Sequence, residues 1–126
     1  EKSRGLGDVY KRQAAIFETH DILVTPGSAT PAFDLELRMP AKIDGRKLEN
    51  YVGASLITGA ISMLGLPALA VPCGLDRFGR PVGLQLVGRH RGEAALLGAA
   101  HLLMQQTGWD RAVPIDPREG SVPGSA

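Results

Sequence analysis

The cysteine and the histidines of this sequence are candidates for nucleophilic or metal-ligand chemistry: Cys73, His20, His90 and His101. Cys73 follows Pro72 at the end of an apolar run and has no histidine close by in sequence, a setting typical of an inert structural thiol. The three histidines lack the spacing of metal ligands, and no second cysteine accompanies them. We therefore expect no metal site and no catalytic residue in this group.

The charged and glycine-rich segments add little further chemistry. Arg89, His90 and Arg91 form a small basic cluster ahead of a predicted helix. The simpler interpretation is a solvated loop, and the alternative is an anion site at the amino terminus of that helix. The glycines lack the order of a phosphate-binding loop and are interpreted as turn and packing positions: Gly65, Gly74, Gly79, Gly83 and Gly88.

The elements that must position these residues alternate between helix and strand. Residues 14–20 have the pattern of the last turns of a helix, residues 22–25 that of a strand stopped by Pro26 and Gly27, and residues 26–41 that of a long loop. Apolar residues spaced by three or four predict an amphipathic helix over 48–64. Asp44 and Gly45 signal a turn ahead of that helix.

The second half of the sequence predicts a strand pair and a final helix. The apolar run 68–72 predicts a strand buried on both faces, and the short turn 76–80 predicts that residues 82–87 return antiparallel to it. Residues 93–106 carry an apolar helical face that ends before Gly108. The fold class is therefore α/β, with an antiparallel strand pair flanked by helices in a small sheet. Because so apolar an edge strand needs a neighbour, we expect these elements to belong to a larger mixed sheet.

Composition limits the classes of function. The 126 residues suffice for one modest domain, and the formal net charge of +1 gives no reason to expect nucleic acid or an anionic membrane as a partner. No apolar stretch reaches the roughly 20 residues of a membrane span. A single cysteine excludes an intrachain disulfide and is compatible with a cytoplasmic location, which we expect.

Five segments carry a resemblance to a known family. They are FETHDILVTP, IDGRKLENY, LGLPALAVPCG, RPVGLQLVG and GEAALLGAAHLL, in that order between Phe17 and Leu103. Together they resemble the carboxy-terminal part of amidase-signature hydrolases, which cleave carboxamides without a metal or organic cofactor. The resemblance implies that residues 14–109 are the carboxy-terminal part of that domain. Residues 1–13 are predicted to be a leader foreign to the family, an assembly artefact or else a genuine basic segment, and residues 110–126 a disordered tail.

The family's catalytic residues are a serine nucleophile, a bridging serine with a cis peptide bond, and a lysine base. The resemblance implies that this triad lies upstream, because no serine of this chain stands in a Gly-Gly-Ser-Ser run and every lysine has a polar or loop context. We therefore predict that the chain alone is inactive. The rest of the amidase domain is needed as a partner for a small amide substrate, and a homodimer is compatible with this view.

The same resemblance points to four substrate-binding residues. Thr25 and Pro26, with the loop that follows them, are expected to line the substrate pocket. Ser62 stands where many relatives carry asparagine, and Ser55 stands where the A subunits of amidotransferases tend to carry an acidic residue. The serine at 55 favours a general amidase over the A subunit of a tRNA-dependent amidotransferase, which remains an alternative. A non-enzymatic accessory or interaction module is the other alternative.

Overall fold

A three-stranded antiparallel sheet, with the last of its strands in sequence at its centre, organises the chain in the computed structural model, which describes residues 14–111. Residues 14–19 form helix α1. The other elements are β1 (Leu23–Pro26), β2 (Lys42–Ile43), β3 (Arg46–Lys47), α2 (Tyr51–Ala54), α3 (Leu56–Met63), β4 (Ala68–Leu75), β5 (Pro81–Val87), α4 (Glu93–Thr107) and a 3₁₀ helix (Trp109–Arg111). The predicted α/β class and the antiparallel strand pair are both confirmed.

The strands β4 and β5 are each longer than the sequence predicts. A bulge between Pro72 and Gly74 lets β4 continue past its proline, with Pro72 opposite Gly83 and Gly74 opposite Val82. Gly74 has a φ of 151°, a conformation that side-chain-bearing residues rarely adopt. The predicted end at residue 72 is therefore wrong, because the ladder resumes at Gly74 after one unpaired residue, Cys73.

The ladder pattern explains how the strands tolerate proline. Gly88 N–H donates to the Pro67 carbonyl at 2.9 Å, and Gly27 N–H donates to the Gly83 carbonyl at 2.9 Å. Because hydrogen-bonded and non-bonded pairs alternate along antiparallel strands, these two bonds place Pro26 and Pro72 at positions whose backbone groups point away from β5. Neither proline therefore costs the sheet a hydrogen bond.

The two faces of the sheet carry separate small cores. On one face, α4 packs Leu96 and Ala100 against Val71 and Leu86, all buried. On the other face, Phe17 of α1 and Ile61 of α3 pack against Val87, which is fully buried, and against Leu23, Leu64 and Leu66. The helices thus cover the sheet mainly at the end where β5 finishes.

The predicted burial of both faces of residues 68–72 is wrong within this chain. Ala68 and Ala70 are exposed, whereas Val71 beside them is buried against α4. The reason is that β4 lies at an edge of the described sheet, and α4 covers only one of its faces. An entirely apolar strand exposed on one face remains unusual for an edge.

The predicted helix over 48–64 is also corrected. Helix begins only at Tyr51, because the side chain of Asn50 accepts a hydrogen bond from Gly53 N–H at 3.1 Å and caps α2. Ser55, with φ −99° and ψ 5°, separates α2 from α3. The segment is thus two short helices with a junction, a detail that apolar spacing does not reveal.

The turn and the last helix follow the sequence predictions, and so does the loop, except that its predicted first residue, Pro26, belongs to β1. Beyond Pro26, residues 27–41 contain no helix or strand, and Asp44 and Gly45 turn a hairpin formed by β2 and β3, with φ of 49° and 73°. Gly108 ends α4 in the left-handed conformation, φ 75°. Asp110 and Arg111 close the 3₁₀ helix, while the rest of the predicted tail and the predicted leader 1–13 lie outside the described residues. Among the helices described, none is long and apolar enough to cross a bilayer.

Candidate functional site

A pocket of about 170 Å³ lies between the loop that follows β1 and the junction of α2 with α3. We call it the hydroxyl pocket, because four hydroxyl-bearing residues contribute to its wall. It is lined by Gly27, Ser28, Ala29, Thr30, Phe33, Pro40, Ala54, Ser55, Ile57 and Thr58. No lining residue carries a charge, so the pocket suits a neutral group with both polar and apolar parts.

Ser55 reaches this pocket because it stands at the helix junction. Its carbonyl accepts hydrogen bonds from Gly59 N–H at 2.7 Å and from Thr58 Oγ1 at 3.1 Å, which fix the start of α3. Its own hydroxyl makes no capping bond to the helix. The backbone of Ser55 is therefore held firmly, while its half-buried hydroxyl stays available to a ligand.

The loop wall of the pocket is set by the sheet. Gly27 N–H bonds to Gly83 and continues the β1–β5 ladder, and a Cβ on Gly27 would lie 3.0 Å from the Gly83 carbonyl oxygen. Glycine is thus needed for the close approach of the two backbones. Ser28 then accepts a hydrogen bond from Thr30 N–H at 3.3 Å, which turns the loop toward α3.

Of the four residues predicted to bind substrate, Ser55 lines the hydroxyl pocket and the other three do not. Thr25 is half-buried on the sheet, where its Oγ1 donates to Gln85 Oε1 at 3.3 Å. Pro26 is exposed at the end of β1, one residue before the pocket wall. Ser62 is exposed on α3 and donates to the Thr58 carbonyl at 3.0 Å. The structure therefore brings Ser55 together with the loop after Pro26.

Sequence reasoning missed the individual pocket residues Thr58, Phe33 and Ile57. Thr58 had a usable signal, since it lies three residues after Ser55 and so falls on the same side of the helix. Phe33 had none, because nothing in a proline-rich loop predicts that this exposed side chain borders the pocket. The sequence predicts that the loop after Pro26 lines the substrate pocket, but it does not predict which residues of the loop do so.

A second groove, of about 510 Å³, is larger but contains none of the four residues predicted to bind substrate. It lies between α1 and the segment leading into β4, and Phe17, Leu64 and Leu66 make its apolar floor. Glu18, Arg89 and His90 border it. Arg89 Nη2 lies 3.0 Å from Asp21 Oδ1, so this guanidinium already has a carboxylate partner. The pairing favours the solvated-loop interpretation of the basic cluster.

The nucleophile and ligand candidates are scattered in the part of the chain that the structure describes. Cys73 is half-buried in the β4 bulge. His20 bonds locally, to Thr19 Oγ1 at 2.9 Å and the Ile16 carbonyl at 3.2 Å. Between residues 14 and 111, no three His, Cys, Asp or Glu side chains come together in a way that could hold a metal ion.

The strongest electrostatic feature lies in the β4–β5 turn, away from the nucleophile and ligand candidates. Arg80 Nε donates to Asp76 Oδ2 at 2.7 Å, and this bond is the main reason why the pKa of the Asp76 carboxyl is lowered. Phe78 N–H and Arg80 N–H also donate to Asp76 Oδ1, each at 2.9 Å. Arg80 Nη1 continues to the Ala32 carbonyl at 2.8 Å and ties the turn to the loop beside the hydroxyl pocket.

Comparison with known proteins finds relatives of this chain. The family model described as Amidase matches residues 4–97, so the match begins inside the predicted leader, whose boundary stays a prediction. Among similar proteins are the glutamyl-tRNA(Gln) amidotransferase A subunit of Moorella thermoacetica, 46% identical over 98 residues, and an acylamidase of Rhodococcus erythropolis, 34% identical over 110 residues. These matches cover 78% and 87% of this chain but only 19% and 23% of the relatives.

Solved structures agree at the level of the fold. A bacterial aryl acylamidase of the amidase-signature enzymes superimposes with a TM-score of 0.67 at 23% identity, over 82% of this chain and 21% of that one. A structure from a vestigial protein complex, concerned with the origins of an s-triazine catabolic enzyme, gives 0.68 at 25% identity, over 83% and 23%. The chain thus spans about a fifth of the length of the proteins it matches.

Proposed function

Because the chain belongs to the amidase family, we propose that it is the carboxy-terminal part of an amidase that hydrolyses carboxamide C–N bonds. The observation that carries this proposal is the family match over residues 4–97, combined with coverage of about a fifth of each relative. In the parent enzyme, a serine oxygen attacks the amide carbonyl carbon and the C–N bond breaks. The serine proton passes through the bridging serine and lysine to the leaving amine, and water then cleaves the acyl-serine ester.

The contribution of this chain is a pocket wall and a supporting sheet. None of the hydrogen bonds made by serine side chains of the described residues involves a lysine. We propose that the isolated chain has no amidase activity and that the reactive residues lie in the remainder of the domain. The hydroxyl pocket, with its uncharged lining, suits the neutral acyl or amine group of a small amide. We also propose a cytoplasmic setting, with which a single cysteine is compatible.

The A subunit of a tRNA-dependent amidotransferase is the second candidate function. The observation in its favour is the identity of 46% and 43% to such proteins from Moorella thermoacetica and Halorhodospira halophila, above the 34% to the acylamidase. Against it stands Ser55, where the resemblance leads us to expect an acidic residue in such proteins. The two candidates share the amide chemistry and differ in substrate.

A pair of chimeras tests the proposal. In one, this chain replaces the matching carboxy-terminal region of the Rhodococcus erythropolis acylamidase, and in the other it replaces that region of the Moorella thermoacetica amidotransferase protein. We expect the acylamidase chimera to hydrolyse a chromogenic anilide, while the isolated chain and the truncated acylamidase do not. If only the second chimera is active, and it hydrolyses glutamine, the result would favour the amidotransferase.

Two outcomes would contradict the proposal. Robust anilide turnover by the isolated chain would mean that the reactive residues are not elsewhere. Two chimeras that are folded by circular dichroism but hydrolyse neither substrate would favour an accessory module over an amidase part.

A further inference from the structure

The outer edge of β4 presents backbone groups for which the described sheet has no partner. The bond between Gly88 and Pro67 sets the alternation, so Leu69 and Val71 exchange hydrogen bonds with β5. The N–H and carbonyl groups of Ala68 and Ala70 therefore point away from β5. Within residues 14–111, no strand lies on that side of β4.

Protection of this edge is uneven along the strand. From Pro72 onward, pairing with another strand is disfavoured, because proline has no N–H to donate and the bulge at Pro72–Gly74 distorts the ladder. Before Pro72 the strand has neither a proline nor a bulge, and Ala68–Leu75 contains no charged side chain. Only the first half of β4 is thus suited to accept another strand.

The other free edge, on β1, is a poorer acceptor. β1 has four residues, and the outward-pointing positions are Val24 and Pro26. Because proline lacks an N–H, Val24 supplies the only outward donor within that strand. β4 offers two donors two residues apart, which is the spacing of an antiparallel or parallel ladder.

We infer that the outer edge of β4 pairs through Ala68 and Ala70 with a β-strand from the remainder of an amidase domain, and that this pairing stops at Pro72. The inference rests on the proposed function. The occupant follows from the length of the relatives, of which this chain spans about a fifth. The small, exposed side chains of Ala68 and Ala70 leave room beside the strand for the side chains of the neighbour.

Hydrogen exchange of isotope-labelled chain, followed residue by residue by NMR, tests the pairing. The partner is the Rhodococcus erythropolis acylamidase without its region matching this chain, co-expressed as a separate polypeptide and purified through a tag on that polypeptide. We expect the amides of Ala68 and Ala70 to exchange fast in the chain alone and at least about tenfold more slowly in the complex. The amides of Leu69 and Val71, bonded to β5, serve as internal controls that are protected in both.

A matched pair of variants tests the same edge by binding. Ala70→Pro removes an outward donor without removing a bond to β5, and should reduce capture of the labelled chain by at least about tenfold. Val24→Pro makes the equivalent change on the β1 edge and should leave capture unchanged. Circular dichroism and the protection of the β5 amides show whether each variant is folded. If a variant is unfolded, the exchange data on the unaltered chain decide whether the edge of β4 is paired.

The outcomes separate this inference from the proposed function. A complex that hydrolyses the anilide while Ala68 and Ala70 still exchange fast overturns the inference and leaves the function standing. A complex that protects both amides but does not hydrolyse the anilide supports pairing at the β4 edge and contradicts the proposed amidase function. Protection that appears in the chain alone and rises with its concentration overturns the inference, since a second copy would then occupy the edge.

Discussion

Ser55 and Ser62 show how two similar residues acquire different surroundings. They are seven positions apart and so fall on nearly the same side of the helical segment, yet Ser55 borders the hydroxyl pocket and Ser62 is bonded to its own helix. A hydroxyl at 55 can therefore contact a ligand, whereas the hydroxyl at 62 contributes to the helix backbone.

We predict that Ser55→Asp in the acylamidase chimera weakens the use of a neutral anilide. A carboxylate in an uncharged, half-buried wall would be poorly solvated, and we expect KM to rise roughly tenfold. Ser62→Asp introduces the same charge outside the pocket and should leave KM unchanged. Steady-state kinetics of both variants measure the difference, and an equal effect of the two would contradict a ligand-facing role for Ser55.

Asp76 supports the β4–β5 turn through its bonds to Arg80 and to two backbone N–H groups. Because the folded-state pKa of this carboxyl is lowered, its stabilising effect is present above the unfolded-state pKa of about 4. That effect is lost as the pH falls through the lower, folded-state value. The turn is thus a local source of acid sensitivity.

We predict that Asp76→Asn lowers Tm at pH 7 and that the difference from the unaltered chain shrinks as the pH falls below about 4. The asparagine retains an acceptor for the backbone groups but loses the ion pair with Arg80. Glu49→Gln, which neutralises an exposed carboxylate elsewhere, controls for net charge. Thermal unfolding followed by circular dichroism from neutral to acidic pH gives the comparison, and a difference independent of pH would exclude this cause.

At the scale of elements, much of the arrangement follows from local sequence. The strand pair, its turn at Asp76–Arg80 and helix α4 were predicted because apolar spacing and glycine positions act within a few residues. The helix start after Asn50 and the break at Ser55 were not, since apolar spacing of three or four residues continues through both positions. The one-sided burial of Ala68 and Ala70 was not either, because burial depends on which segments surround β4.

The same substitution has opposite effects at a glycine inside α4 and at the glycine that follows α4. Gly98 lies in the helix interior with open space around its Cβ position, whereas Gly108 ends the helix with φ 75°. We predict that Gly98→Ala stabilises the chain by about 0.5–1 kcal/mol and that Gly108→Ala destabilises it by about 1–2 kcal/mol. Urea unfolding of both variants tests this, and two shifts of the same sign would contradict the assigned helix end.

At the scale of the whole molecule, the buried core that residues 14–111 form is small. The buried apolar residues of the described part are Phe17, Ile61, Val71, Leu86, Val87, Leu96 and Ala100. Several large apolar side chains remain exposed, among them Leu35 at 95% and Met63 at 89%. Exposed apolar side chains mark an interface when they form one contiguous patch, and the proposed larger domain would cover such a patch.

We predict that the isolated chain unfolds over a broad temperature range, with an enthalpy below the roughly 0.7 kcal/mol per residue typical of complete domains near 60 °C. The acylamidase chimera should unfold at a higher temperature in a sharper transition, because the exposed apolar side chains are then covered. Differential scanning calorimetry of both proteins measures this. A sharp transition of full enthalpy in the isolated chain would mean that its core is already complete.

The central position of β5 has a consequence for the order in which the chain folds. β4 joins β5 through a short turn, and α4 follows at once and packs on both, so these three elements can assemble through local contacts. β1 pairs with the opposite edge of β5, although the two strands are far apart in sequence. Pairing therefore costs the conformational entropy of closing the long segment between them, which carries the hydroxyl pocket. We expect the pocket wall to be the last part to form, and the first to be lost when the chain begins to unfold.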